Sequence, residues 1–445
     1  MKKSIQLSDH FDYGTLFRFT SPSMVMMVIT SIYSVVDGLF VSNFVGDKAL
    51  AAVNIIYPLT MIAGALGSML SAGGKAEVAR TMGAGETDKA RQYFTTIMLA
   101  VVGTGALLAA GGILFLRPLA ALLGASELLM ADCLTYGRIM LAGLPIFLLQ
   151  ASFQSFLVVA ERPKMGLGLS IGAGVTNMVL DYVFIGILGW GVAGAAAATV
   201  CGYVVGGITP LVYFLLPNKS PLRLVKTRFY GRMLLKSCSN GMAELMNSIS
   251  SSLVTALYNH SLMGLVGEVG VAALSVMAYV DFIFAATCIG FSMGVAPVFS
   301  YQLGSGNEEE MKSLFSKCIR INVILALVMA GSAQLLTHTL AQIFVGYDPE
   351  LMAMTEAGFH IFALSFIFNG FNIFGSSFFA ALGNGKVASI LSFMRTFLLK
   401  CGAILLLPLV IGLDGIWWAV VVAEGVAAVL TLYFLVTRRK KYHYA

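Results

Sequence analysis

Long apolar blocks alternate with short polar, charged segments along the whole chain. A helix needs about 20 mostly apolar residues to cross a bilayer. Twelve blocks meet that length: 16–45, 50–74, 93–116, 133–160, 166–189 and 191–216, then 233–263, 270–303, 316–345, 356–382, 387–411 and 414–436. Several exceed the minimum, which permits tilt or bending without fixing either. Pro22, Pro58, Pro145 and Pro297 fall inside blocks, where neighbouring helices satisfy the carbonyls that proline frees. The pattern predicts an all-α polytopic membrane protein.

Composition agrees. Hydrophobic residues make up 58% of the chain, charged residues 11%, and the mean hydropathy is +0.86. A soluble domain carries roughly 25% charged residues, so no soluble core hides this much apolar surface. The net charge of +6 is first a question of membrane sidedness and does not imply nucleic-acid binding. With the N-terminus inside, cytoplasmic segments hold 23 of the 28 basic residues, including Lys75, Arg80 and the run Arg438 to Lys441. Outside there are Lys48, Arg117 and Arg138, while Arg395 and Lys400 sit within the eleventh span. This asymmetry predicts both termini in the cytoplasm, and a bacterial plasma membrane is the expected setting. The N-terminus lacks a short apolar run with a cleavage site, so the first span is the expected targeting signal. Cys133, Cys201, Cys238, Cys288, Cys318 and Cys401 are scattered, without ligand spacing.

The chain repeats itself at an offset of 221 residues. Val45-Gly46-Asp47-Lys48-Ala49-Leu50-Ala51-Ala52-Val53 answers Val266-Gly267-Glu268-Val269-Gly270-Val271-Ala272-Ala273-Leu274, and Gly73, Gly83 and Gly85 map on Gly294, Gly304 and Gly306. Six spans per repeat insert both halves the same way up. The expected architecture is two six-helix bundles related by a pseudo-two-fold axis along the membrane normal. The expected division is 1–216, a basic linker at 217–232, and 233–445. A carrier that rocks one bundle against the other needs this arrangement, and fused halves make a monomer sufficient.

Asn177 and Asp181, four residues apart in the fifth span, share one helix face. A carboxylate within a bilayer is costly and marks a functional site by default. The plainer reading puts Asp181 at the wet membrane edge.

Further motifs point to one family. Tyr33-Ser34-Val35-Val36-Asp37-Gly38-Leu39-Phe40-Val41 leads into Val45-Gly46, and Gly73-Gly74 precedes Ala79-Arg80-Thr81-Met82-Gly83-Ala84-Gly85-Glu86. In this order and in duplicate, they resemble the multidrug and toxic compound extrusion (MATE) transporters. The resemblance covers nearly the whole chain. It implies export of lipophilic, mainly cationic organic compounds by alternating access, driven by inward flow of H⁺ or Na⁺, with no cofactor. In the DinF-like branch a cation site forms between the first, fifth and sixth spans, and the matching positions are Asp37, Asn177, Asp181 and Thr199. The span boundaries agree, setting Asp37, Asp181 and Thr199 each eight residues from the outer end. That is one shared depth, roughly 12 Å below the outer face. Four oxygen-bearing side chains suit a hard cation such as Na⁺. Two carboxylates in a low dielectric also resist losing both protons, so proton and cation compete for one site. Loading is expected to bend or shift the first span, with Pro22 as a flex point.

The second half is less defined. Glu244 resembles the seventh-span glutamate of another MATE branch, whose partner aspartate in the tenth span is missing because 357–382 holds no acid. Asp281, Arg395, Lys400 and Glu424 complete a set of three negative and two positive side chains with Glu244, able to pair as a structural network. Glu244 and Asp281 are candidates for attracting a cationic substrate. Gln150, Gln154, Asn369 and Asn372 are candidates for the lumen or for interhelical hydrogen bonds. Glu308-Glu309-Glu310 reads as a solvated helix start. A flippase for lipid-linked saccharides is the alternative cargo reading, but it calls for a more basic cavity than the predicted acidic excess. The chain carries no HExxH or GxxxxGK[ST] motif, which leaves little for an enzyme. The expected partners are drugs or other small organic cations and membrane lipids.

Overall fold

The computed structural model describes residues 5–44, 47–346 and 348–444, and the side chains at 34–50, Asp37 among them, lie outside that description. In chain order the first bundle contains α1 (Tyr13–Phe44), α2 (Asp47–Gly83), α3 (Thr87–Leu114), short α4 (Leu116–Leu122), α5 (Glu127–Val159), α6 (Pro163–Asp181) and α7 (Gly191–Leu215). The second contains α8 (Gly231–Leu265), α9 (Glu268–Ser305), α10 (Glu308–Val345), α11 (Pro349–Phe362), α12 (Phe366–Ala381), α13 (Gly385–Phe393), α14 (Leu399–Ile411) and α15 (Leu413–Tyr442). A π-helical turn, Tyr182–Ile187, prolongs α6; another, Met394–Leu398, joins α13 to α14, and a 3-10 turn joins α11 to α12. Counting each joined pair once, twelve helical segments among the described residues are long enough to span. Among the described residues, eleven are also apolar enough to do so; α8 falls short through its serines, asparagines and Glu244.

The helices run past the apolar blocks that predict them. α2 continues to Gly83 and α10 starts at Glu308, because polar ends extend beyond the hydrocarbon layer. Starts are capped by short polar side chains that accept otherwise unused backbone N–H groups. The Asp12 carboxylate takes the Thr15 N–H at 2.6 Å, which holds its carboxyl below the usual carboxylate range. Asn307 takes that of Glu310 at 3.0 Å.

The internal repeat is realised in three dimensions. Gly85 and Gly306, related by the offset of 221, both end a helix with positive φ, 81° and 69°, a conformation glycine adopts without a Cβ penalty. At the axis between the bundles, a Cβ on Gly83 would sit 2.0 Å from the Tyr301 carbonyl oxygen, and one on Gly304 would sit 2.0 Å from that of Arg80. Each contact is the image of the other under the same offset. Nearly three turns further in, Gly73 and Gly241 bring α2 and α8 into backbone contact: a Cβ on Gly73 would sit 1.8 Å from the Ser237 oxygen, and one on Gly241 1.8 Å from the Met69 oxygen. Small residues allow such approach, and in lipid close packing is what holds helices together. The two bundles are thereby shut against each other on the face that carries the N-terminus.

A strap covers that face. Leu7 and Phe11 are fully buried. The Leu7 N–H donates to Glu161 of the first bundle at 2.9 Å, while Gln302 of the second donates to the Leu7 carbonyl at 3.0 Å. The Phe11 N–H and the His10 ring both meet the Glu310 carboxylate, at 2.9 and 2.6 Å. Glu310 is therefore buried, correcting the expectation that all three glutamates are solvated: its place on α10 turns it inward under residues 5–12. Lys236 of α8 also reaches Glu77 of α2 across the bundles at 2.9 Å. The linker lies along α3, with Leu222 buried, the Arg91 guanidinium on the Pro221 carbonyl and the Val225 N–H on Thr95.

Candidate functional site

In the first bundle, Gly174, Asn177 and Asp181 lie on one face of α6, at spacings of three and four residues. A Cβ on Gly174 would sit 3.6 Å from the Tyr33 ring of α1, and one on Gly202 of α7 would sit 3.0 Å from the Ala173 carbonyl oxygen. These contacts hold three helices around one point. There the Asn177 amide donates to Thr199 Oγ1 at 3.3 Å, and both Asn177 and Asp181 are fully buried. The wet-edge reading of Asp181 is thus excluded by burial. Thr199 also donates to the Ala195 carbonyl at 3.0 Å, which turns its lone pairs toward Asn177. Asp181 is the last residue before the π turn Tyr182–Ile187, a departure from α geometry that recurs at functional sites. The backbone of Asp37 follows Tyr33 by one turn of α1. α1 and α6 run in parallel from the N-terminal face.

A cavity of about 650 Å³ lies between the bundles, mainly against α8 and α9. Its charged lining is Lys75, Glu244, Asp281, Arg395 and Lys400. Ala72 and Asn240 line its floor, immediately beside the Gly73–Gly241 contact that closes the way to the N-terminal face. A second, smaller hollow of about 30 Å³ sits beside Tyr33, Gly174 and Gly202. It is large enough for a water molecule. Gln154 lines both hollows and donates to Ser170 at 3.3 Å, so it stands between the central cavity and the small hollow beside α6.

Behind the cavity the second bundle holds a polar network. Glu424, fully buried on α15, receives Arg395 Nε at 3.1 Å and Lys400 Nζ at 3.3 Å, both on Oε1. Its Oε2 accepts from Asn372 at 2.8 Å. Asn369 donates to Asp281 at 3.3 Å and accepts from Arg395 at 3.4 Å. Asn372 in turn accepts from Thr431 at 3.2 Å. Arg395 sits in the π turn between α13 and α14. Several hydrogen bonds and two cations compensate the desolvation of one buried carboxylate, the condition for tolerating it.

The sequence candidates therefore divide. Gln154, Glu244 and Asp281 reach the central cavity; Gln150 lines only the small hollow, and Asn369 and Asn372 are spent on the network. Lys75 corrects the sequence reading, which puts it in a cytoplasmic loop. Gly73-Gly74 resembles a helix end, yet α2 continues two turns beyond it and carries the ammonium into the cavity. The predicted acidic excess falls with it, since three cations and two carboxylates line the space. The signal for a longer helix was present in the apolar Ala76, Val78, Ala79 and Met82 that follow.

Comparison with known proteins agrees with this architecture. The chain is 21% identical over 437 residues to the multidrug export protein MepA of Staphylococcus haemolyticus (strain JCSC1435), covering 97% of this chain and 96% of that one. It is 22% identical over 445 residues to MepA of Staphylococcus aureus (strain NCTC 8325 / PS 47), covering 95% and 94%. Among solved structures, a MATE protein in complex with MaL6 superposes with a TM-score of 0.93 at 21% identity, over 100% of both chains. The outward-facing conformation of a multidrug resistance MATE family transporter of the MOP superfamily gives 0.92 at 22%, over 100% and 99%. The MatE family model matches residues 22–183 and 245–402, one stretch in each bundle. With the repeat, the twelve segments and both matched stretches in agreement, this chain belongs to the MatE family.

Proposed function

We propose that the protein exports small lipophilic organic compounds through the central cavity, in exchange for H⁺ or Na⁺ taken up at Asp37, Asn177, Asp181 and Thr199. The observation that carries this reading is a fully buried carboxylate and amide beside a hydroxyl, in the same bundle whose Gln154 lines the two-bundle cavity. Oxygen donors of this kind suit a hard monovalent cation. Either a proton or Na⁺ neutralises the acidic charge in a low dielectric, which gives the ion a reason to bind. The distribution of basic residues puts the N-terminal face in the cytoplasm. In that orientation the glycine contacts and the strap close the cytoplasmic side, and the cavity serves the outside. Neutralising the site then favours a different placement of α1, and the bundles rock to expose the cavity inward. A lining of both signs favours soluble organic cargo over lipid-linked pyrophosphates, for which a predominantly basic cavity is expected.

The test is transport of ethidium in proteoliposomes, with a Na⁺ gradient and an H⁺ gradient imposed in turn. Efflux under one of them, lost in Asp181→Asn, supports the reading. Efflux under neither refutes it.

A further inference from the structure

The turn between α5 and α6 breaks a rule that its counterpart in the second bundle obeys. By Lys164 and Lys386 the repeat has drifted to an offset of 222, which maps Glu161 on Gly383. Both residues sit at the bend of the same helix-ending turn. The Arg162 N–H donates to the Leu157 carbonyl at 2.7 Å and the Glu161 N–H to that of Val158 at 3.1 Å. At the image positions Asn384 donates to Phe379 at 2.9 Å and Gly383 to Ala380 at 3.0 Å. This motif needs a left-handed residue at its bend and usually takes glycine there. Gly383 supplies it with φ 74°, whereas in the first bundle a glutamate adopts 61°. Among the described residues only His443 is a second non-glycine with positive φ, a conformation strained for any residue with a Cβ.

The turn itself gains nothing from a glutamate. What the glutamate adds is a carboxylate, and that carboxylate accepts the Leu7 N–H of the strap at 2.9 Å. Among the described residues, the strap's other hydrogen bonds beyond itself are made with the second bundle. Gln302 of α9 donates to the Leu7 carbonyl at 3.0 Å, Glu310 of α10 takes the Phe11 N–H and the His10 ring, and Lys317 donates to the Phe11 carbonyl. Leu7 thus ties the bundles together through its own N–H and C=O. We propose that Glu161 is a gating residue, a catch that fastens the strap across both bundles and holds the cytoplasmic face shut between transport steps. Strain in the turn is local to α5 and α6 and is present whether the face is open or shut, so it does not bias the gate. The bond to Leu7 exists only while the strap bridges the bundles, so it does. A strained residue retained for one contact is a pattern of switch sites. The inference rests on the rocking of the bundles proposed above and adds the residue that restrains it.

Electron–electron resonance between spin labels at Lys89 of α3 and Lys312 of α10, in the full chain with its six cysteines replaced, reads the opening of that face. Glu161→Gly suits the left-handed turn and removes the acceptor. Leu7→Pro keeps a carbonyl for Gln302 and removes the donor. Each should raise the ratio of open to closed populations about 10- to 100-fold, the range for one hydrogen bond to a carboxylate. The double variant should open no further than Leu7→Pro alone, because both changes delete the same bond. Glu161→Gln keeps an oxygen for Leu7 and should open less than Glu161→Gly. Unchanged distances in Glu161→Gly overturn the inference, as does equal opening in Glu161→Gln. An effect of Glu161→Gly that persists undiminished beside Leu7→Pro also overturns it, since the turn and not the strap would then be responsible. Ethidium efflux by the wild-type chain under either gradient reports separately on the export reading: without it that reading falls, while the distances still judge the catch.

Discussion

The contact of α2 with α8 allows a conformational bias to be calculated from one atom. In Gly73→Ala the added Cβ stands 1.8 Å from the Ser237 carbonyl oxygen, 2.7 Å from its carbon and 2.8 Å from the Gly241 nitrogen. A relaxed carbon–oxygen contact needs about 3.3 Å or more, so the two helices must part by roughly 1.5 Å. The obstacle is backbone on both sides, and no rotamer change relieves it. Overpacking of this kind costs about 1–3 kcal/mol. The strain exists only while the N-terminal face is shut. It therefore shifts the closed-to-open equilibrium by about 5- to 150-fold toward the open form. Gly241→Ala meets the Met69 oxygen at the same 1.8 Å and should act alike, whereas Gly103→Ala meets nothing within 4 Å and is the control. The assay is an electron–electron resonance distance between spin labels at Lys89 and Lys312, both exposed at that face, after replacement of the six cysteines. The expected result is a longer distance population in Gly73→Ala and Gly241→Ala and none in Gly103→Ala. Identical distributions in all three would show that the glycine contact does not gate the face.

Other consequences are as direct. Asp181→Asn and Asp37→Asn should each abolish gradient-driven ethidium efflux while membrane insertion and melting temperature stay near wild type; normal transport in both would remove the cation site from the mechanism. Glu161, in the loop between α5 and α6, has its carboxyl raised above the usual 4.5 by burial, opposed by the Leu7 N–H. A raised folded-state value means that its contribution to stability is present below pH 4.5 and lost as pH rises through the folded value. Glu161→Gln keeps an oxygen for Leu7, so it should melt higher than wild type at pH 8, with the gap closing near pH 4. Glu310→Ala strands the Phe11 N–H and frees His10; trypsin should then cut at Arg18 at least several-fold faster, and an unchanged rate would mean the strap is not held there.

Much of this architecture is legible along the chain. Apolar block length fixes the spans, because an unpaired backbone in hydrocarbon leaves only the helix. The offset of 221 residues foretells the paired glycine turns at 85 and 306, since local backbone geometry travels with the residue that permits it. Asn177 and Asp181 are legible too, being polar residues with no other business in an apolar block. The polar α8 is legible by length more than by hydropathy, as its Asn240, Glu244, Asn247 and Ser251 face a cavity rather than lipid.

What a polar residue inside a span will meet is a different matter. Lys75 enters the cavity because α2 runs on past its glycines, and Glu310 is buried because residues distant by 299 positions fold over it. Arg395 and Lys400, on one span, converge on Glu424 of the next. Charge pairing depends on distances of a few ångströms between segments far apart in the chain, which no periodicity encodes. Sequence alone determined which residues must leave water; only the tertiary structure decided which of them would compensate one another.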